Sequence, residues 1–186
     1  MIPDQSLVRK LLDQEKDERY RYLLRHGNLH YIEQDSYSIY VELPQIPGIV
    51  IVYRRPSERE INAEKMQLDS RGLKHIPLLE GEEKIKCLNL QNNEIDKIEN
   101  LVSLPNLTFL DLSSNKLTEI SNFTNLVHLK VLILSKNLIT SLSKNLEAFR
   151  MLDVLDLHDN RITGTIDFSH HLKKLQNLRI LNLSGN

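Results

Sequence analysis

The chain has 186 residues, 40% of them hydrophobic and 26% charged, and its 24 basic and 25 acidic side chains leave a formal net charge of −1. This is the make-up of an ordinary globular protein, without the basic surplus that draws a chain to nucleic acid or to an anionic membrane surface. One cysteine, Cys87, excludes an internal disulfide framework and points to a reducing, cytoplasmic setting. The polar, charged stretch from Met1 to Asp17 does not read as a signal peptide, and no apolar run approaches the roughly 18–20 residues that span a bilayer.

From Ser6 to His26 the sequence predicts a charged helix, with Asp4 or Ser6 as its cap and Gly27 where a left-handed terminating residue belongs. Leu7, Leu11, Leu12, Tyr20, Leu23 and Leu24 give it a broken apolar stripe. So polar a segment is marginal alone. It either docks on a partner, packs across the first repeat of the chain's later part, or is a loosely held leader. Between Asn28 and Arg54 strand formers take over, from Tyr37 to Leu43 and from Ile49 to Tyr53, with Pro44, Pro47 and Gly48 placed to turn between them. Arg54-Arg55-Pro56 leads into a polar helical turn over 57–63. Residues 1–62 thus read as an N-terminal leader and cap.

From Ala63 to Asn186 one pattern recurs about six times. The clearest copies are Ile85-Lys-Cys-Leu88-Asn-Leu90-Gln-Asn-Asn93 and Leu107-Thr-Phe-Leu110-Asp-Leu112-Ser-Ser-Asn115. Counted along Arg71, Asn93, Asn115, Asn137, Asn160 and Asn186, the copies are 22, 22, 22, 23 and 26 residues apart. A fixed period of this length, with L-x-L followed by Asn, is the signature of leucine-rich repeats. The expected fold is therefore an α/β solenoid, with short parallel strands on a concave face and 3₁₀ or short helical segments on the convex one. In L-x-L the leucines point inward and the residue between them outward, because side chains alternate along a strand. Asn93, Asn115, Asn137 and Asn160 form an expected internal ladder, their amides serving backbone groups that a tight inward turn leaves buried. Apolar residues at every third position, as in Ile98, Leu101, Leu104 and Leu107, suit a 3₁₀ back wall. The spacing slips at Gly164, where the added residues, His170 and His171 among them, read as a bulge or longer helix. Leu178, Leu181 and Leu183 have no following repeat, so further sequence or a partner is expected to cover that end.

The outward positions supply the candidate site. One column reads Lys65, Cys87, Phe109, Val131, Val154 and Ile180. The next reads Gln67, Asn89, Asp111, Ile133, Asp156 and Asn182, and the third includes Ser135 and His158. Phe109, Val131, Ile133 and Val154, with Asp111, Asp156 and His158 beside them, form an apolar strip with a polar rim, which is a partner-site signature. The competing account is that β-branched residues merely suit strands. Asp156, His158 and Asp159 lack the remaining ligands of a metal site and read as surface polar residues. Cys87 has neither a Cys-x-x-Cys partner nor a local histidine. No phosphate loop, nucleophile elbow or zinc-protease motif is present, so neither an enzyme nor a cofactor is expected. The sequons at Asn106, Asn122 and Asn182 follow from the repeat composition and are expected to stay unmodified.

The repeats, with Ile98-Glu-Asn-Leu101 and Ile120-Ser-Asn-Phe123, resemble the intracellular 22-residue class of the phosphatase-1 regulatory subunit and an axonemal dynein light chain. The lead-in is more distinctive. Ile46-Pro-Gly-Ile-Val-Ile-Val-Tyr53-Arg-Arg-Pro-Ser-Glu-Arg59, Leu68-Asp-Ser-Arg71 and Leu79-Glu-Gly-Glu82 resemble the leucine-rich-repeat subunit of the tubulin polyglutamylase complex, over about Glu42 to Asn160. That resemblance implies a non-catalytic scaffold at the cytoskeleton, cilium or centrosome, with tubulin-modifying subunits as partners. The alternative is a regulatory subunit of a protein phosphatase or another enzyme, using the same face.

Overall fold

The computed structural model describes residues 5–14, 16–33, 38–123, 125–142, 146, 149–163 and 172–186. It divides into two units. The first holds residues 1–63 and 77–82, and the second holds 64–76 and 83–186.

In the first unit the N-terminal helix is two helices, α1 (Gln5–Gln14) and α2 (Glu18–His26), and not the single helix expected over 6–26. The break has a local cause. Asp17 takes an extended backbone, and its carboxylate accepts the Tyr20 N–H at 2.6 Å, so it caps a new helix in place of continuing the first. The same carboxylate accepts from Tyr53 Oη at 3.2 Å. The expected cap at Asp4 lies outside the described residues, and Ser6 lies inside α1. Gly27 is not left-handed either. Its φ is −92°, and glycine is needed there for space, since a Cβ would meet Leu23 O at 2.8 Å and Val41 Cβ at 3.1 Å.

Strands β1 (Asn28–Ile32), β2 (Ile39–Glu42) and β3 (Val50–Tyr53) pair antiparallel in chain order. Between β2 and β3, Gly48 takes φ +81°, which a side chain would resist. Helix α3 (Pro56–Ile61) then starts with proline in its first turn, where a missing N–H costs nothing. The sheet is completed from further on. After β4 (Lys65–Gln67), residues Leu78–Leu79 form β5 and lie parallel to β3, with Ile51 opposite Leu78 and Val52 opposite Leu79. A single boundary at 62/63 therefore does not describe the chain. Residues 77–82 return to the first unit because Leu78 packs into its core, with Tyr20, Leu23, Ile39, Val41 and Ile51.

The segment after β5 ties this unit together by charge. Glu80 takes a two-pronged bond from Arg19 at 2.6 and 2.8 Å. Glu82, almost fully buried, takes the fork of Arg54, whose other arm donates to Asn62 O, and Arg59 approaches it at 3.5 Å. Between them Gly81 sits at φ +72°, and a Cβ there would lie 2.0 Å from the Arg59 guanidinium. The Arg59 guanidinium also lies 4.3 Å from the Tyr53 ring centroid.

The second unit is a parallel-strand solenoid. Strands β4, β6 (Cys87–Asn89), β7 (Phe109–Asp111), β8 (Val131–Ile133), β9 (Val154–Asp156) and β10 (Ile180–Asn182) form one six-stranded sheet in strict register, Lys65 beside Cys87, then Phe109, Val131, Val154 and Ile180. The strands and back walls of the interior repeats are apolar and buried, as at Leu88, Leu90, Ile95, Leu104 and Leu107, all at 0% exposure. At the last strand, Leu178, Leu181 and Leu183 are only half-buried. The return segments are chains of single turns. The Leu104 N–H donates to Leu101 O and that of Leu107 to Leu104 O, with the same pairs at Phe123–Leu126–Leu129 and Leu146–Phe149–Leu152. Apolar side chains at three-residue spacing are therefore the residues that close each turn. The Gly164 insertion, with His170 and His171, lies outside the described residues.

The turn after each strand is fixed from inside. Asn115 Oδ1 accepts from Ile95 N at 3.0 Å, while its Nδ2 donates to Leu90 O and Leu112 O at 3.0 and 3.1 Å. Asn137 repeats this with Leu117 N, Leu112 O and Leu134 O, and Asn160 with Ile139 N, Leu134 O and Leu157 O. Asn93 serves Leu73 N, Leu68 O and Leu90 O. The carbonyls of Leu90, Leu112 and Leu134 are thus each shared by two successive asparagines. The residue before each ladder position, Ser70, Asn92, Ser114, Lys136 and Asp159, is left-handed at φ +53° to +55°. Its N–H pairs with the next repeat, as from Ser114 to Ser135 O.

This geometry generates two expected outcomes. Asn115→Leu should lower unfolding stability by about 1–3 kcal/mol for each buried backbone group it orphans, read from the urea midpoint in far-UV circular dichroism. Glu82→Ala leaves the Arg54 charge buried and unpaired, which costs about 3–5 kcal/mol. All six tyrosines lie before residue 54 and there is no tryptophan, so tyrosine fluorescence reads the first unit selectively. Its urea midpoint should fall steeply in this variant.

Candidate partner-binding face

The register places the candidate residues on one face. Phe109, Val131 and Val154 occupy one row on adjacent strands, and Asp111, Ile133 and Asp156 the next. Each strand buries its middle residue and leaves the two flanking ones half-buried. At about 4.8 Å per strand, the three apolar side chains of the first row and Ile133 lie within one patch about 10 Å across. His158 joins the rim, its Nδ1 2.8 Å from Asp156 Oδ1. Asp159 is farther from it, with Oδ2 3.9 Å from His158 Nε2. No group of three or more potential metal ligands occurs among the described residues.

The Asp111–Asp156 row does structural work that sequence reasoning missed. Asn89, Asp111, Asp156 and Asn182 each use Oδ1 to accept the N–H two residues on, from Gln91, Ser113, His158 and Ser184, at 2.8–3.2 Å. This side-chain turn lets the backbone leave the strand with its donor satisfied. The signal was present in the sequence, since a column of Asn and Asp directly after a strand leucine is a capping column before it is a binding one. Ile133 departs from it. An isoleucine cannot accept a hydrogen bond, so its presence there is not explained by the turn.

The row before the strands, Glu64, Lys86, Thr108, Lys130, Asp153 and Arg179, is charged, and two of its three basic residues are ion-paired. Lys86 pairs with Glu64, and Arg179 with Asp153. The guanidinium of Arg179 holds the Asp153 carboxyl below its ordinary range, with Lys130 adding to the effect. By contrast, neither Asp111 nor Asp156 is in an ion pair with lysine or arginine among the described residues. Burial pushes the Cys87 thiol up, against the pull of Lys65 and with a further push from Asp111. A raised thiol is a poor nucleophile at neutral pH. Of the sequon residues, Asn106 and Asn122 spend their amides on Glu83 O and Ile98 O in the preceding repeat.

Residues 83–125 and 150–186 match the family described as "Leucine Rich repeats (2 copies)". The fold is the leucine-rich repeat solenoid. A stretch of 109 residues is 36% identical to leucine-rich repeat-containing protein 49 of mouse, covering 58% of this chain and only 16% of the mouse protein. Among solved structures, a leucine-rich repeat protein of Leptospira interrogans superposes with a TM-score of 0.59 at 27% identity, over 71% of this chain and 34% of that one. An internalin of Listeria monocytogenes does so at 0.50 and 30% identity, over 56% and 30%. A leucine-rich repeat array presents a broad face of the kind that serves protein contacts, and this chain carries such an array. No helix among the described residues is long and apolar enough to cross a membrane.

The thiol environment gives a direct check. Cys87 should react with iodoacetamide at pH 7.5 several-fold more slowly than a free cysteine peptide and reach the peptide's rate only on unfolding. Rapid labelling of the folded chain would contradict the assigned environment.

Proposed function

We propose that the chain is a non-catalytic scaffold subunit of a microtubule-associated complex of the tubulin polyglutamylase type. It holds a protein partner on its strand face, through Phe109, Asp111, Val131, Ile133, Val154, Asp156 and His158. The observation that carries the face assignment is Ile133, an apolar side chain at a position whose equivalents in neighbouring repeats are turn-capping Asn or Asp. It stands beside Phe109, Val131 and Val154, and a contiguous apolar patch on a strand face is where a partner gains most from excluding water. The complex assignment is supported by the lead-in resemblance. Several of its residues are in contact here, with Glu82 bonded to Arg54 and Arg59 seated against Gly81 and Tyr53. In this reading the protein sits in the cytoplasm, at the cytoskeleton, cilium or centrosome.

The test pairs a capture experiment with a stability measurement. Phe109→Ser with Ile133→Ser should abolish recovery of tubulin-modifying subunits from ciliated cells, while the melting temperature moves little, because neither side chain is in the repeat core. An early melt would mean that the patch is structural. Recovery of a phosphatase catalytic chain in place of tubulin-modifying subunits would favour the alternative assignment.

A further inference from the structure

The strand face carries information about the charge of what it binds. Along one row the residues run Asn89, Asp111, Ile133, Asp156, Asn182, in continuous register across five strands. Asn89 and Asn182 make the same turn bond as Asp111 and Asp156, at 3.0 and 3.2 Å against 2.8 and 3.1 Å. An amide therefore serves this turn as well as a carboxylate, and the two negative charges are not required by the fold. They occur on the two strands that flank Ile133. Both carboxylates are half-buried, where an uncompensated charge is costly, and among the described residues the only ion-pairing partner of either is the His158 ring, 2.8 Å from Asp156. On the opposite flank Lys86 and Arg179 are neutralised by Glu64 and Asp153, while Lys130, next to Val131, makes no ion pair among the described residues, so the uncompensated charge is negative on the Ile133 side alone and positive on the other.

We infer that the occupant of this face is a basic, amphipathic protein segment, which seats an apolar side chain on Phe109, Val131, Ile133 and Val154 and places a lysine or arginine between Asp111 and Asp156. The inference rests on the docking face proposed above and adds the sign of the partner's charge. Two carboxylates two strands apart, about 10 Å, leave room for one guanidinium or ammonium group above Ile133. Such a pairing supplies the missing counter-charge and selects against acidic segments more strongly than against neutral ones.

The experiment is a selection of a random 16-residue displayed peptide library against the full chain at 50 mM salt. The enriched peptides are then synthesised and tested on variants. Asp111→Asn with Asp156→Asn is the informative pair, because asparagine is the resident of this position in two other repeats, and the melting temperature should not change. Enrichment of peptides combining Leu, Ile or Phe with Arg or Lys is expected. Their binding should weaken about tenfold or more in the double asparagine variant, and also in Ile133→Ser, and should fall as salt is raised to 300 mM. Peptides that need Ile133 but are neutral or acidic, and are indifferent to the asparagine pair, would overturn the charge inference and leave the docking face standing. Peptides indifferent to both Ile133→Ser and the asparagine pair would remove the docking face as well. A selection with no enrichment would also overturn the inference.

Discussion

The solenoid depends on one constraint: a chain that turns inward after every strand carries its peptide groups into an apolar interior, where each unmet donor or acceptor is costly. The ladder asparagines meet this with the smallest side chain that offers both an acceptor and two donors. Each reaches back to the previous repeat and down to its own strand, so that Leu112 O, for example, is held by Asn115 and Asn137 together. The strands are thereby stacked at a fixed offset, and the outward residues fall into rows. The face proposed for binding is thus a consequence of the buried ladder.

The two rows of that face separate what the turn requires from what it does not. At Asp111 and Asp156 one oxygen closes a turn, which leaves the charge itself as a property the turn does not need. At Ile133 the turn bond is given up for apolar surface. The binding role proposed for this face is thus argued from where a repeat departs from its own pattern. The recurring chemistry of the pattern is structural, and the departures carry the information.

The repeat architecture was legible because its cause is periodic. A 22-residue spacing of Leu-x-Leu and Asn leaves one way to alternate inward and outward side chains, and Phe109, Val131 and Val154 fall on one face as a matter of counting. What the sequence hid depended on contacts between distant segments. The break at Asp17 was hidden inside a plausible helix, since the cap bond to Tyr20 and the tie to Tyr53 are invisible in a charge pattern. Leu78 and Leu79 looked like part of a first repeat and became a strand beside Ile51 and Val52. The left-handed turn residues were hidden too, because Ser114 and Lys136 are not residues that announce a positive φ. The capping role of Asn89 and Asp111 was open to inspection, but Asp111 reads first as part of a polar rim.

Because its fourth strand lies at Leu78–Leu79 and its buried counter-charge at Glu82, the first unit is interrupted by a strand of the second. During synthesis the helices and the β1–β3 meander emerge first, yet their sheet edge and the Arg54 guanidinium stay unmatched until residue 82 has left the ribosome. By then the first strand of the solenoid, Lys65–Gln67, has already been made. The N-terminal unit therefore closes only after the first strand of the solenoid has been made, though ahead of the other five. Until residue 82 is available, the β3 edge of that meander stays open, the kind of surface that a neighbouring strand can pair with.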